Sequence, residues 1–271
     1  MFARMLLLLA GGMFGVLAIC PIRKVAWQFV RLVAAIPLVI AITLLAWWAL
    51  MESSADGHSL FVPATAVVTL GLIAFAVVSL ASLLVTRPSA VVRWLRGLAL
   101  CGGIAGLLAG VSWPAPTHTL PIGVRILTAT GHLFSALLLG SVTVAWLLGH
   151  RYLTATEMTI DPLRRAVQVL MVALGARWVF VLALLGAALA PAAPVGRTAE
   201  LSSRLSADWL MVAIRIGVGL VLPSVFAYMA WDCVKLRSTQ SATGILFFMS
   251  IFVVIGELSS QYLTSRLGWP V

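Results

Sequence analysis

Charge is scarce in this sequence: Asp, Glu, Lys and Arg make up 10% of 271 residues, against 62% hydrophobic. A soluble domain carries charge on roughly a quarter of its residues. A water-soluble globular fold is therefore excluded, and a mean hydropathy of +1.11 places the chain among polytopic membrane proteins. Cysteine is nearly absent as well. Cys20, Cys101 and Cys233 fall at or near one side of the expected topology, at spacings that match no zinc or redox motif, so a disulfide framework is not expected. No Walker loop, dinucleotide fingerprint, nucleophile elbow or His-Glu-x-x-His is present, which removes the common soluble chemistries. The longest interval without an apolar run, residues 191–208, is too short for an independent core. What remains is a single all-α domain over residues 1–271, a helix bundle in a lipid bilayer.

Apolar runs of spanning length occur at roughly 5–20, 26–50, 60–85, 97–113, 124–149, 166–190, 209–231 and 242–264, which predicts eight spans. The first is the shortest and resembles a signal-peptide core preceded by Arg4. Ile19 before Cys20 spoils a lipoprotein cleavage box, however, and Arg23 and Lys24 follow as a retaining flank, so the segment is read as an anchor.

The basic excess is 18 Lys and Arg against 8 Asp and Glu. In a soluble protein it would suggest nucleic acid; here it sets orientation and no nucleic-acid partner is expected. Eleven basic residues, including Arg23, Lys24, Arg93, Arg151, Arg165 and Lys235, fall in connections of one parity. Five (Arg4, Arg125, Arg197, Arg204 and Arg266) fall in the other. By the positive-inside bias both termini are outside. The dominance of Arg over Lys, with abundant Ala, Leu, Val and Gly, looks like a high-GC bacterial genome, and hence an inner-membrane protein.

Ionisable groups within these runs mark where function is expected, since each costs several kcal/mol in lipid unless it faces protein or water. In the fifth run Arg125, Thr128, His132 and Ser135 are spaced 3, 4 and 3, one helical face; His150 follows five turns later on that face. In the seventh, Arg215, Gly219 and Pro223 recur at steps of four, with Ser224 placed to satisfy backbone freed by the proline. In the eighth, Thr243, Ser250, Glu257 and Thr264 recur at sevens, with Gln261 one turn beyond the glutamate. Arg215 and Glu257 both sit roughly 10 Å below the outer surface, which makes them ion-pair partners. Arg177 lies near the bilayer centre, with no acid at i±3 or i±4, and needs an acceptor on another helix, Glu257 or a ligand carbonyl. Each of these groups has a purely structural alternative as an interhelical clamp. At the cytoplasmic edge, His150 and Tyr152 are candidates for partner docking, and Ser241 for a helix cap. His58 and His118 lie in outer loops, so no pair of axial histidines at matching depth is found and no haem is expected in this chain.

Gly256-Glu257 in the last run, followed by Gln261-Tyr262 and Arg266, resembles the end of the membrane-anchor subunits of DMSO reductase and polysulfide reductase. The likeness covers about the last 60 residues, from Trp209 onward. It implies a haem-free, quinol-interacting helical subunit, with eight spans and both ends outside in the DMSO reductase anchor. The first half departs from that pattern, lacking the early His-containing loop. The function expected is thus a non-catalytic membrane subunit of an electron-transfer complex, assembled with other subunits. It would hold quinone or quinol in an outer-leaflet pocket of His132, Arg177, Arg215, Glu257 and Gln261, with Glu257 relaying the proton. A small transporter with central charges, or a purely structural subunit, are the alternatives.

Overall fold

The computed structural model describes residues 2–19, 27–53, 122–154, 159–189 and 207–267, together with positions 71, 73, 74, 77 and 81. Among these residues the chain is all helix with no strand. The helices are α1 (Phe2–Ile19), α2 (Trp27–Ser53), α3 (Ile122–Thr154), α4 (Asp161–Leu189), α5 (Trp209–Lys235) and α6 (Thr239–Leu267). Five of them, α2 to α6, contain stretches long and apolar enough to cross a membrane; α1 contributes a shorter apolar helix, Phe2–Leu17. The expected spans at roughly 60–85 and 97–113 lie outside the described residues, apart from the five isolated positions.

Helices α3, α4, α5 and α6 form a four-membered ring in which each packs on the next and α6 closes back on α3. Short connections make α3 and α4, and α5 and α6, antiparallel neighbours. Helix α1 lies against α3 and touches α6, and α2 lies against α1. In α3, 67% of the apolar stretch is buried, against 28–39% in the other four long helices, so α3 is the central element. The buried positions of α4 (Leu163, Ala166, Val167, Leu170, Leu174, Arg177, Val181) repeat at three and four, the spacing of one helical face. The opposite faces are apolar too: Val172, Val179, Leu182, Tyr228 and Phe248 are exposed. A surface apolar outside as well as inside suits a bilayer rather than water.

Helix contacts in lipid depend on close backbone approach, because burying apolar surface gains nothing over acyl chains. Two such approaches set the bundle. A Cβ on Gly12 of α1 would collide with the Ala136 carbonyl of α3, and one on Gly140 with the Gly12 backbone. On the other side, Gly219 of α5 lies against Gly256 of α6, where an added Cβ would meet backbone from either side. The first helix is therefore seated in the core, with Leu8, Ala10, Met13, Phe14 and Val16 buried.

Helix α5 is interrupted by a π-helical stretch, Ile214–Val221, within which the wider turn carries i→i+5 bonds; the Leu222 N–H donates to the Gly217 carbonyl. Pro223 follows at once. It has no N–H, and its ring would strike the carbonyl four residues back, at Gly219, in an undisturbed α-helix. The Ser224 hydroxyl donates to the Leu220 carbonyl at 2.7 Å and accepts from the Trp178 indole of α4 at 2.9 Å, so the carbonyl it satisfies is Leu220's rather than that of Gly219, four residues before the proline.

Two local expectations are corrected. Helix α6 begins at Thr239, three residues before the expected start, so Ser241 lies in its first turn and Ser238 takes the preceding position, its hydroxyl donating to Ser241 Oγ. The turn into it places Arg237 at φ 58, the left-handed region, and this reversal lets α6 start early. In the sevens of α6, Thr243 and Glu257 are buried but Ser250 and Thr264 are only partly so. The enclosed face is instead Ala242, Leu246, Met249, Val253 and Ser260, because an α-helix repeats at 3.6 and drifts off a strict heptad.

Candidate functional site

The four ring helices each deliver polar groups to one buried centre. Helix α6 contributes Glu257, Ser260 and Gln261, spaced so that all three face inward; α5 contributes Arg215 from its π stretch, α4 Arg177, and α3 His132, Ser135 and the Gly131 carbonyl. Arg177 and Arg215 are among the largest fully buried side chains described.

Glu257 joins the two arginines. Its Oε1 accepts from Arg215 Nη1 at 3.0 Å, and its Oε2 lies 3.5 Å from Arg177 Nη2; no side chain in this triad is more than 1% exposed. Ser135 lies beside the same carboxylate. Arg177 is held from three helices, donating from Nη1 to the Gly131 carbonyl at 3.0 Å and from Nη2 to Ser260 Oγ at 2.9 Å, with the Phe180 ring 5.6 Å from its guanidinium carbon. The need for an acceptor on another helix is met by these groups together. Pairing and hydrogen bonds offset much of the desolvation of such charges, whereas each alone would be prohibitive.

The close seating of Gly219 on Gly256 lets α5 and α6 approach at the level of the ion pair. Arg215 and Gly219 are one step of four apart, and Gly256 adjoins Glu257, so the smallest contacts in this interface flank its strongest charges.

Next to the triad, the Gln261 amide meets the His132 ring. Several buried polar atoms here have no hydrogen-bond partner among the described residues: His132 Nδ1, Gln261 Oε1, and Arg215 Nε and Nη2. Donors and acceptors are thus both unsatisfied within one cluster, an arrangement that costs free energy when no ligand or water completes it.

The structure brings His132, Arg177, Arg215, Glu257 and Gln261 together, as their placement in the sequence suggested. It does not do the same for the edge candidates. His150 is exposed at the end of α3, away from the buried face expected for it. Tyr152 is buried and its hydroxyl donates to the Thr159 carbonyl, bracing the α3–α4 connection, so only His150 of the two is presented outward. With two guanidinium groups on its oxygens, Glu257 serves as their shared counter-ion.

Two participants were not legible as such. Ser260 follows Glu257 by three residues, a spacing that would have revealed it. Arg4, expected in an outer flank, is buried on α1 and close enough to His132 to act on it electrostatically. Its inclusion follows from the seating of α1 in the core, for which Gly12 is the sequence signal. No protein-family model, curated protein or solved structure matches this chain.

Proposed function

We propose that this chain is a multi-pass, non-catalytic membrane subunit that binds a quinone or quinol head group at the Arg177–Glu257–Arg215 centre, within an electron-transfer complex whose redox groups reside on partner subunits. In this reading it has eight spans with both ends outside, in the inner membrane of a bacterium. The observation that carries it is the set of unsatisfied buried atoms: Arg215 Nε and Nη2 as donors, Gln261 Oε1 as acceptor, and His132 Nδ1. A quinone presents carbonyl acceptors and a quinol presents hydroxyl donors, so the couple matches a site holding both kinds. Arg215 would hold a carbonyl oxygen, His132 would take or return the proton at the hydroxyl, and Gln261 Oε1 would accept a hydrogen bond from the quinol. Glu257 would keep the guanidinium groups in place.

Protein purified in mild detergent should retain substoichiometric quinone on solvent extraction. An added short-chain quinone should raise its melting temperature through mass-action linkage. His132→Ala should weaken that shift while leaving the fold intact. Absence of any quinone in a gently purified complex, with no thermal response in the wild-type protein, would overturn the reading.

One observation favours a second reading, a small transporter: the helix carrying Arg215 is interrupted by a π stretch and a proline at the depth of the charges, and broken helices line substrate sites in many transporters. Solute-driven counterflow in proteoliposomes, without quinone retention, would select it.

A further inference from the structure

The centre is unbalanced in charge. Arg177 and Arg215 face one carboxylate, Glu257, and among the described residues no second acid joins them; the remaining described acids, Glu52, Asp161, Asp208 and Asp232, lie at or near helix ends. The ring helices otherwise offer His132 from α3 and Gln261 from α6, and α1 offers Arg4, none of which supplies negative charge. Glu257 uses Oε1 on Arg215 Nη1, which leaves the Nε and Nη2 donors of the same guanidinium without a partner among the described residues, although Arg215 is 0% exposed. A fully buried cation with two unused donors is an acceptor-seeking group in a medium where charge attracts strongly.

We infer that the ligand of this centre binds as an anion, with its charged oxygen on Arg215 Nε and Nη2, so that the site selects acidic ligands in their ionised form over neutral ones of the same shape. This rests on the reading that the centre is a ligand site and narrows its ligand class. The shared chemistry is a monoanionic oxygen, borne either by an acidic hydroxyquinone or by a small carboxylate or phosphate. Gln261 and His132 then face the ligand's neutral edge. The anion supplies the second negative charge that the described residues do not.

The test uses the full-length protein in mild detergent and three probes: 2-hydroxy-1,4-naphthoquinone, which is ionised at neutral pH; its 2-methoxy ether, which keeps both carbonyls but is neutral; and inorganic phosphate or acetate. Binding is read from thermal shift and titration calorimetry. The hydroxyquinone anion should bind at least about tenfold more tightly than the ether, the factor that about 1.4 kcal/mol gives. Gln261→Glu, which places a second carboxylate at the centre while leaving every arginine contact in place, should reduce that preference to within about threefold, or less than 1 kcal/mol. Arg215→Gln should do the same where it folds. If the ether binds as tightly as the anion, the anion inference falls and the quinone reading stands. If phosphate or acetate binds and Gln261→Glu abolishes it, while neither quinone does, the inference stands and the quinone reading falls. Binding of the anions unaffected by Gln261→Glu, or no binding of any probe, overturns the inference.

Discussion

Glutamine at position 257 isolates what the shared carboxylate contributes. Glu257→Gln preserves volume and one acceptor oxygen, so what is lost is the charge and the second acceptor. The side chain sits 3.0 Å from Arg215 Nη1 and 3.5 Å from Arg177 Nη2 with no exposure above 1%, so its removal leaves two guanidinium groups facing each other in a region without bulk water. Breaking a buried pair by deleting one partner costs about 3–5 kcal/mol, and here two pairs lose the same partner, which puts the expected loss at the upper end of that range. Arg215→Gln is the instructive contrast. It leaves one arginine with one carboxylate, a balanced pair, and should cost less, about 1–3 kcal/mol, the scale of a hydrogen bond to a charged group. The double variant should fall short of the sum of the two by about 1–3 kcal/mol. Unfolding titrations in mixed detergent micelles, followed by tryptophan fluorescence, measure all three. Polar contacts in membrane bundles couple by about 0.6 kcal/mol on average, so a coupling at or below that value, with Glu257→Gln no worse than Arg215→Gln, would falsify the picture of one carboxylate serving two buried cations.

Other outcomes follow from the helix contacts. Gly219→Ala, whose Cβ would meet Gly256 backbone, should cost about 1–3 kcal/mol and disturb ligand response, while Gly217→Ala two residues earlier, with nothing within 4 Å, should be nearly neutral; equal effects in a thermal scan would mean the helices do not touch there. Tyr152→Phe removes the hydrogen bond to the Thr159 carbonyl and should lower stability by about 0.5–1.5 kcal/mol without altering binding at the centre, to be checked by the same unfolding titration. Single cysteines at Ser238 and Ala207, placed in a background without the native cysteines, should label from opposite sides of intact vesicles, Ala207 from the outside; the reverse labelling would invert the topology.

The site was more legible than the bundle that builds it. Spacing alone put Arg215, Gly219 and Pro223 on one buried face, and counting depth along two spans paired Arg215 with Glu257, because helical rise and period are properties of the backbone and need no knowledge of neighbours. The acceptors of Arg177 depend on how α3, α4 and α6 cross, and a backbone carbonyl such as that of Gly131 carries no sequence signal at all. Likewise, Pro223 announced an irregular helix but not a π stretch, since widening a turn is one of several ways to accommodate a proline. The strict heptad read into α6 misplaced Ser250 and Thr264 for a related reason: a supercoil must be imposed by a partner along one seam, and here α6 packs on both α3 and α5.

The contact between Gly12 and Gly140 joins points that leave the ribosome far apart in time. With elongation at about 5–20 residues per second, on the order of 10 s separate the emergence of α1 from that of its seat on α3. During that interval α1 has α2 beside it, but its glycine-notched face is uncovered and must be held by lipid or by the insertion machinery until α3 arrives. Assembly of this membrane protein therefore has a waiting step written into its first helix. A separately expressed α1–α2 segment should be able to dock late onto a bundle made without it.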